Sequence, residues 1–178
     1  PRMKEKSDAH YPGTRLAITE YDYGGGNDIS GGLAQADVLG IFGREGLDLA
    51  TLWGPPTLNQ PGAYAFRMYR NYDGQHHTFG DVSVRATSAD QGKVAVYAAQ
   101  RSSDQALTIM VINKSLTQTL TSSITLTSTD PITRAAVFTA LPNGVVGNVV
   151  AYACRPSRCE AACTTSPSTF RMCASGSA

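Results

Sequence analysis

The first 80 residues alternate strand-like and helix-like patterns, and this alternation limits the fold more strongly than any other feature of the sequence. Residues 14–21 (TRLAITEY) and 47–53 (LDLATLW) are short apolar segments that end at glycine or proline, as buried strands do. Residues 29–44 and the segment that begins at Pro61 place apolar residues at helical spacing. The order strand, helix, strand, helix predicts βαβα units with parallel strands that are covered on both faces.

A different pattern begins near residue 81 and continues to about residue 150. Val, Ile, Leu and Tyr alternate there with Ser and Thr, which is typical of strands with one buried face. Turn-forming Asp, Gly and Pro residues divide this part into five predicted strands, at 81–87, 93–100, 107–113, 119–127 and 134–139. Strands at this spacing predict an antiparallel β-sandwich.

The end of the chain differs from both parts, because it holds all four cysteines, Cys154, Cys159, Cys163 and Cys173. Their spacing does not match that of a zinc site, and no histidine follows His77. Two disulfides, with three alternative connectivities, remain open for an exported protein. The segment has no hydrophobic periodicity. We therefore interpret residues 151–178 as a disordered or aberrant tail.

The charge balance excludes some classes of partner. The chain has 15 basic and 14 acidic residues and a net charge of +1, so it lacks the positive field that binds nucleic-acid backbones. Its apolar runs are far shorter than the roughly 20 residues that cross a bilayer. The opening residues, PRMKEKSDAHYPG, contain no apolar signal-peptide core, and Met3 lies inside this charged stretch. We expect no nucleic acid, no membrane, and a chain that is a fragment of a longer protein.

The segment TEYDYGG, residues 19–25, is the strongest candidate for a chemical site. Glu20 ends a predicted buried strand and is followed by aromatic residues and a glycine turn. Catalytic residues of β/α barrels lie at the carboxyl ends of the strands, so Glu20 is a candidate nucleophile or acid. The alternative is a structural role, in which Glu20 accepts hydrogen bonds from the following loop.

Trp53, the only tryptophan, ends the second predicted strand in the same way. Its ring offers a flat apolar surface that suits the C–H face of a sugar, and Tyr21 and Tyr23 offer hydrogen bonds beside it. The alternative for Trp53 is packing against the protein. For the tyrosines, the alternative is that one packs and the other lies in solvent. His76 and His77 are adjacent, so their side chains diverge. The sequence supplies no third ligand, and we predict no metal and no cofactor.

Several of these segments resemble the glycoside hydrolase family 44 endoglucanases and xyloglucanases. The segments are TRLAITEYDYGGGNDISGGLAQADVLGIFGREG, LDLATLW, AYAFRMYRNYDG and TFGDVSV. The resemblance is close over residues 11–84 and looser over the β-rich part. It implies an α/β part, residues 1–80, formed by the last two βα units of a (β/α)8-type barrel. An antiparallel β-sandwich at 81–150 follows, and the whole is incomplete relative to the family.

The resemblance also implies an activity, the hydrolysis of β-1,4-glucans with retention of configuration, in an extracellular enzyme. By this resemblance Glu20 is the nucleophile, and Trp53 lines the substrate cleft. Retaining hydrolysis needs a second carboxyl group about 5–5.5 Å from the first, and the resemblance places it on an earlier barrel strand. Only 19 residues precede Glu20, whereas a barrel takes about 250. We therefore expect the general acid to be missing, and the exposed barrel surfaces to favour self-association.

Three functional hypotheses remain open. The chain is a piece of a secreted endo-β-1,4-glucanase, with Glu20 as the nucleophile of the parent enzyme. Alternatively, it is a noncatalytic β-sandwich module that holds glucan weakly through Trp53 and Tyr21. In the third hypothesis it is a self-sufficient hydrolase, in which Asp22, Glu45 or a second subunit supplies the acid.

Overall fold

The computed structural model describes residues 2–115, 117, 118, 120 and 122–126, and the backbone of three more strands at 134–139, 149–155 and 169–172. Helices and strands alternate first, and strands alone follow. The elements in chain order are α1 (Arg2–His10), β1 (Ala17–Tyr21), α2 (Ile29–Arg44), β2 (Leu49–Leu52), α3 (Pro61–Arg70), β3 (Val82–Val84), β4 (Val94–Gln100), β5 (Leu107–Asn113), β6 (Ser122–Thr125), β7 (Arg134–Thr139), β8 (Val149–Arg155) and β9 (Thr169–Met172).

Strands β1 and β2 form a parallel pair, with Ala17 opposite Leu49. The predicted order β1, α2, β2, α3 and the parallel direction are confirmed, and α2 spans the predicted residues 29–44. The prediction that these strands are covered on both faces is wrong. Ile18 is 40% exposed and Leu49 is 52% exposed, because a sheet of two strands leaves much of both faces in solvent.

The second part of the chain forms a five-stranded antiparallel sheet in the order β3, β4, β5, β8, β7. Strand β5 lies at its centre and pairs with β4 over seven residues, with Tyr97 opposite Met110. Strand β6 pairs with β9 in a separate antiparallel ribbon. Each of the five strands predicted between residues 81 and 139 is present, and the prediction of antiparallel pairing is confirmed.

The two faces of the β4–β5 pair contact different layers. One face packs against α2 and α3 in a cluster of buried side chains that comprises Leu33, Ala36, Ala65, Met68, Ala95, Tyr97, Met110 and Ile112. The opposite face, with Ile109 and Val111 at its centre, packs against Ile124 of β6 and its neighbour Leu126. The main core therefore lies between the helices and the sheet. None of the described helices has the length and apolar content that a membrane span requires.

Three elements were not predicted from the sequence. Helix α1 has no buried residue, and Lys4 and Asp8, one helical turn apart, form an ion pair on its surface. Strands β8 and β9 extend into or lie within residues 151–178, where the sequence shows no hydrophobic periodicity. Strand β8 fills the position between β5 and β7, so its partners are about 40 residues and 15 residues away in the chain. The local pattern of apolar residues does not indicate which distant strand a segment pairs with. The cysteines of the tail outside β8 lie outside the described residues.

Asp28 begins α2 as its N-cap. Its carboxylate accepts a hydrogen bond from the backbone N–H of Ser30 at 2.8 Å. Hydrogen bonds from the Ser30 side chain and backbone hold the pKa of Asp28 below its ordinary value.

We predict that the contribution of Asp28 to stability depends on pH. A carboxyl group whose pKa is lower in the folded state stabilises the protein above the ordinary pKa of about 3.9. The contribution is lost as the pH falls through the folded-state value. Asp28→Asn keeps the capping oxygen but does not titrate. We therefore compare the free energy of unfolding of the parent with that of Asp28→Asn by urea denaturation. As the pH falls below about 4, the parent should lose stability relative to Asp28→Asn. A difference that does not change with pH would contradict this assignment.

We also predict unequal costs for the same substitution at two methionines. Met110 is fully buried between the sheet and the helices, whereas Met3 on α1 is 68% exposed. Met110→Ala should lower the free energy of unfolding by about 2–5 kcal/mol, because it leaves a cavity. Met3→Ala should change it by less than about 0.5 kcal/mol. Urea denaturation of both variants measures the difference. Equal losses in the free energy of unfolding would contradict the position of Met110 in the main core.

Candidate active site

Glu20 and Trp53 lie at one edge of the parallel sheet, because each stands at the carboxyl end of a strand. The backbone N–H of Trp53 donates to the carbonyl oxygen of Tyr21 at 2.9 Å. The backbone N–H of Glu20 donates to the side-chain hydroxyl of Thr51 at 3.1 Å. The fold therefore brings the predicted residues Glu20, Tyr21 and Trp53 together.

The backbone at Glu20 has an unusual conformation. Its φ angle is +60°, in the left-handed region that non-glycine residues rarely adopt. The register of β1 against β2 shifts between Ile18 and Tyr21, so Glu20 lies in a bulge. Bulges redirect a side chain, and such backbone strain costs about 1–3 kcal/mol and is concentrated at functional sites. The Glu20 side chain is exposed at this point.

Tyr21 and Tyr23 pack against α2. Their rings stack with centroids 6.3 Å apart, and the Tyr21 ring meets Phe42 edge-on at 5.3 Å. The Gln35 side chain joins the two hydroxyl groups: its Nε2 donates to the Tyr21 hydroxyl at 2.9 Å, and its Oε1 accepts from the Tyr23 hydroxyl. Burial, with Tyr21 and Asp22 nearby, raises the pKa of Tyr23 above its ordinary value. Both tyrosines are thus held by the helix, and Tyr23 keeps 43% of its surface exposed.

Trp53 presents most of its ring to solvent. Its side chain is 62% exposed, the largest aromatic surface at this edge of the sheet. The turn that follows uses Gly54 at a φ angle of +78°. The side chains of Gln60 and Asn27 are hydrogen-bonded at 2.6 Å, which joins the loop after β2 to the loop after β1. An exposed indole beside an exposed carboxylate can hold the apolar face of a sugar.

The two other acids proposed from the sequence have different positions. Glu45 caps the C-terminus of α2 and pairs with Arg44 at 2.9 Å. Since α2 begins near the Glu20 edge and its 16 residues rise about 24 Å, Glu45 lies far beyond the 5–5.5 Å that a retaining pair needs. The hypothesis that Glu45 of the same chain supplies the acid is therefore wrong. Asp22 follows Glu20 by two residues in the chain, and its Oδ1 accepts the backbone N–H of Gly24 at 2.9 Å.

His76 and His77 lie after α3, in the turn that precedes β3. The Nδ1 atom of His77 contacts the carboxylate of Asp73, and the His77 ring stacks on Tyr72 with centroids 6.3 Å apart. The backbone N–H of His76 donates to the side chain of Asn71 at 2.7 Å. Within the described ranges, no group of three or more His, Cys, Asp and Glu residues has the arrangement of a metal site.

Sequence reasoning missed three residues that shape this site. Thr51 holds the backbone of Glu20, Gln35 joins the two tyrosines, and Gly31 lets α2 approach the glycine loop. Gln35 had a detectable signal, since at spacings of three and seven residues it shares a helix face with the apolar Val38 and Phe42. Thr51 and Gly31 had none, because their roles depend on how closely two segments approach in space.

The close approach at Gly31 generates a prediction. A Cβ atom at Gly31 would lie 2.0 Å from the carbonyl oxygen of Gly25, in the loop that follows β1. Gly31→Ala should therefore displace that loop and lower the free energy of unfolding. At Gly43, on the same helix, a Cβ atom has no neighbour within 4 Å. Gly43→Ala should stabilise the protein by about 0.5–1 kcal/mol. Thermal and urea denaturation of both variants decide this, and a stabilising Gly31→Ala would contradict the packing described.

No protein-family model matches the chain. Among characterised proteins, it is 42% identical over 139 residues to the beta-mannanase/endoglucanase A of Caldicellulosiruptor saccharolyticus. That alignment covers 78% of this chain and 10% of the relative, so the chain spans a small part of that protein.

Solved structures also match most of the chain. CelM2, a bifunctional glucanase-xylanase from a metagenome library, superposes with a TM-score of 0.79 at 42% identity, over 88% of this chain and 34% of its own. A family 44 xyloglucanase from Paenibacillus polymyxa gives a TM-score of 0.76 at 32% identity, over 88% of this chain and 35% of its own. The homologues of this chain are therefore the glycoside hydrolases of family 44, and it spans about a third of their solved length.

Proposed function

We propose that the chain is part of a retaining endo-β-1,4-glucanase in which Glu20 is the nucleophile. One observation carries the proposal: Glu20 is an exposed carboxylate in a strained bulge, at the carboxyl end of a strand in a parallel βα unit. Catalytic groups of β/α barrels occupy this position. The homology to family 44 enzymes supports the same role.

The architecture that we propose follows the same homology. Residues 1–80, with the parallel β1–β2 pair, α2 and α3, form two βα units of a (β/α)8-type barrel. Residues 81–150 form most of a β-sandwich, in which the five-stranded sheet faces the β6–β9 ribbon. The contact of Ile109 and Val111 with Ile124 supports this packing of sheet on sheet. Residues 151–178 contribute strands to both sheets.

The substrate that we propose is a β-1,4-glucan, either cellulose-like or xyloglucan, outside the cell. The exposed Trp53 ring forms the platform for one sugar ring beside Glu20, and Tyr23 offers a partly exposed edge. Tyr21 stays a predicted substrate contact, although its hydroxyl group bonds to Gln35. No cofactor is required, because two carboxyl groups are sufficient for retaining hydrolysis.

The second carboxyl group, the general acid, is proposed to come from residues outside this chain. Asp22 is the nearest acid to Glu20 in the sequence, and it is engaged in the turn at Gly24. The exposed side chains of Ile18 and Leu49 fit the same proposal, since they are surfaces that further barrel strands or another copy would cover.

A second function, glucan binding without catalysis, has one observation in its favour. Trp53 is 62% exposed and needs no reaction partner to stack on a sugar. In this hypothesis Glu20 makes a hydrogen bond to the sugar and forms no covalent bond.

An activated substrate tests Glu20 without the general acid. Dinitrophenolate leaves from 2,4-dinitrophenyl 2-deoxy-2-fluoro-β-cellobioside without being protonated. A Glu20 carboxylate oxygen would attack C1 and form an ester bond. The bond from C1 to the aryl oxygen breaks, and its electron pair leaves with dinitrophenolate. We predict one fluorocellobiosyl group per chain by mass spectrometry, attached to the peptide that contains Glu20, with an equal amount of dinitrophenolate released.

Two variants control this experiment. Glu20→Gln should form no adduct, whereas Glu5→Gln, the same chemical change on the exposed helix α1, should react like the parent. An adduct on another residue, or none on a folded chain, would refute the proposed nucleophile. In the latter case a change of Trp53 fluorescence with cello-oligosaccharides would favour the binding module.

A further inference from the structure

Gln35 is a buried polar residue whose presence needs a physical reason. Its side chain is 2% exposed, on the side of α2 that also carries the buried residues Gly31 and Gly32, one turn earlier. A buried amide that lacks partners costs about 1–3 kcal/mol, so an apolar residue would pack here at lower cost. An amide at this position therefore needs hydrogen-bond partners.

The hydrogen bonds of Gln35 lead to the strand end that carries Glu20. Its Nε2 donates to the hydroxyl of Tyr21 at 2.9 Å, and its Oε1 accepts from the hydroxyl of Tyr23. One amide thus uses a donor and an acceptor on two different residues of the TEYDYGG segment. This arrangement ties the end of β1 to α2, which is itself anchored in the main core.

The conformation of Glu20 requires such an anchor. A left-handed backbone at a non-glycine residue persists only where the surroundings hold the chain on both sides. On one side, the backbone N–H of Glu20 donates to Thr51. On the other side stands Tyr21, whose carbonyl oxygen accepts the N–H of Trp53 and whose hydroxyl accepts from Gln35. Of these contacts, only the one with Gln35 reaches the helix layer by hydrogen bonding.

We propose that Gln35 is a positioning residue that, through Tyr21 and Tyr23, holds Glu20 in its left-handed conformation and so aims its carboxylate. The importance of this for catalysis rests on the proposed function, in which Glu20 is the nucleophile. The conformational effect itself does not depend on it.

Nuclear magnetic resonance of the full chain tests the effect directly. The ¹³Cα and ¹³Cβ shifts of Glu20 and the coupling between its amide and α protons distinguish left-handed from extended backbone. In Gln35→Leu, which removes both hydrogen bonds at similar volume, these values should move from left-handed to extended. The matched control Gln75→Leu, in an exposed turn, should leave them unchanged. Left-handed values retained in a folded Gln35→Leu would overturn the proposal.

Gln35→Glu gives a pH-dependent readout that a merely structural role would not produce, and it serves if the leucine variant does not fold. A protonated carboxyl has one donor and one acceptor, as the amide does, whereas a carboxylate cannot donate to Tyr21. The titratable groups that face this position are Tyr21 and Tyr23, with Asp22 beside them, and burial keeps Tyr23 protonated to high pH. The Glu20 shifts of this variant should be left-handed at low pH and change as the introduced carboxyl ionises. Shifts that stay left-handed across the titration would overturn the proposal.

The two proposals fail in different ways. If the parent chain forms no adduct but the Glu20 shifts respond to Gln35 as described, the nucleophile assignment fails and the positioning role stands. If the parent forms the adduct and the shifts do not respond, only the positioning role fails. If both hold, Gln35→Leu should also slow adduct formation by at least about tenfold, which corresponds to about 1.4 kcal/mol.

Discussion

The packing of α2 between α3 and the antiparallel sheet is the contact on which the rest of the structure depends. Ala36 is fully buried in it, and Gly40 lies so close to the Tyr97 ring that a Cβ atom would come within 2.3 Å of it. Close packing of this kind transmits small displacements, because the interior has little free volume. Since α2 starts at the loop after β1, the core also fixes where the candidate nucleophile stands.

At the carboxyl-end edge of the parallel β1–β2 pair, the chain is held by hydrogen bonds. Glu20 is held through Thr51 and Tyr21, and Tyr21 is held through Gln35. Hydrogen bonds are directional, so they can impose a strained backbone that apolar packing alone would let relax. A substitution that removes one partner also costs stability, because it leaves the other buried group without a hydrogen bond. A site that must aim a carboxylate gains accuracy from such contacts at some cost in stability.

The exposed surface of the β1–β2 pair is consistent with the proposal that part of the active site comes from outside this chain. The parallel pair β1–β2 exposes Ile18, Leu49 and Trp53, and the chain spans about a third of its solved homologues. In our proposal the same exposed surfaces are where the remaining barrel strands, and with them the general acid, complete the active site. The antiparallel sheet, in contrast, has its own core against α2 and α3. The described part of the chain thus joins a well-packed scaffold to one half of a proposed catalytic pair.

The sequence by itself determined α2, α3 and the strands from β1 to β7 as local elements, and it identified the candidate residues. Apolar spacing and the proline at Pro61 predicted α2 and the start of α3, because these signals involve neighbouring residues. Only the tertiary structure decided that β8 lies between β5 and β7, that Glu20 adopts a left-handed backbone, and that Gln35 serves two tyrosines. These features arise from contacts between segments distant in the chain, and local periodicity does not encode which distant surfaces meet.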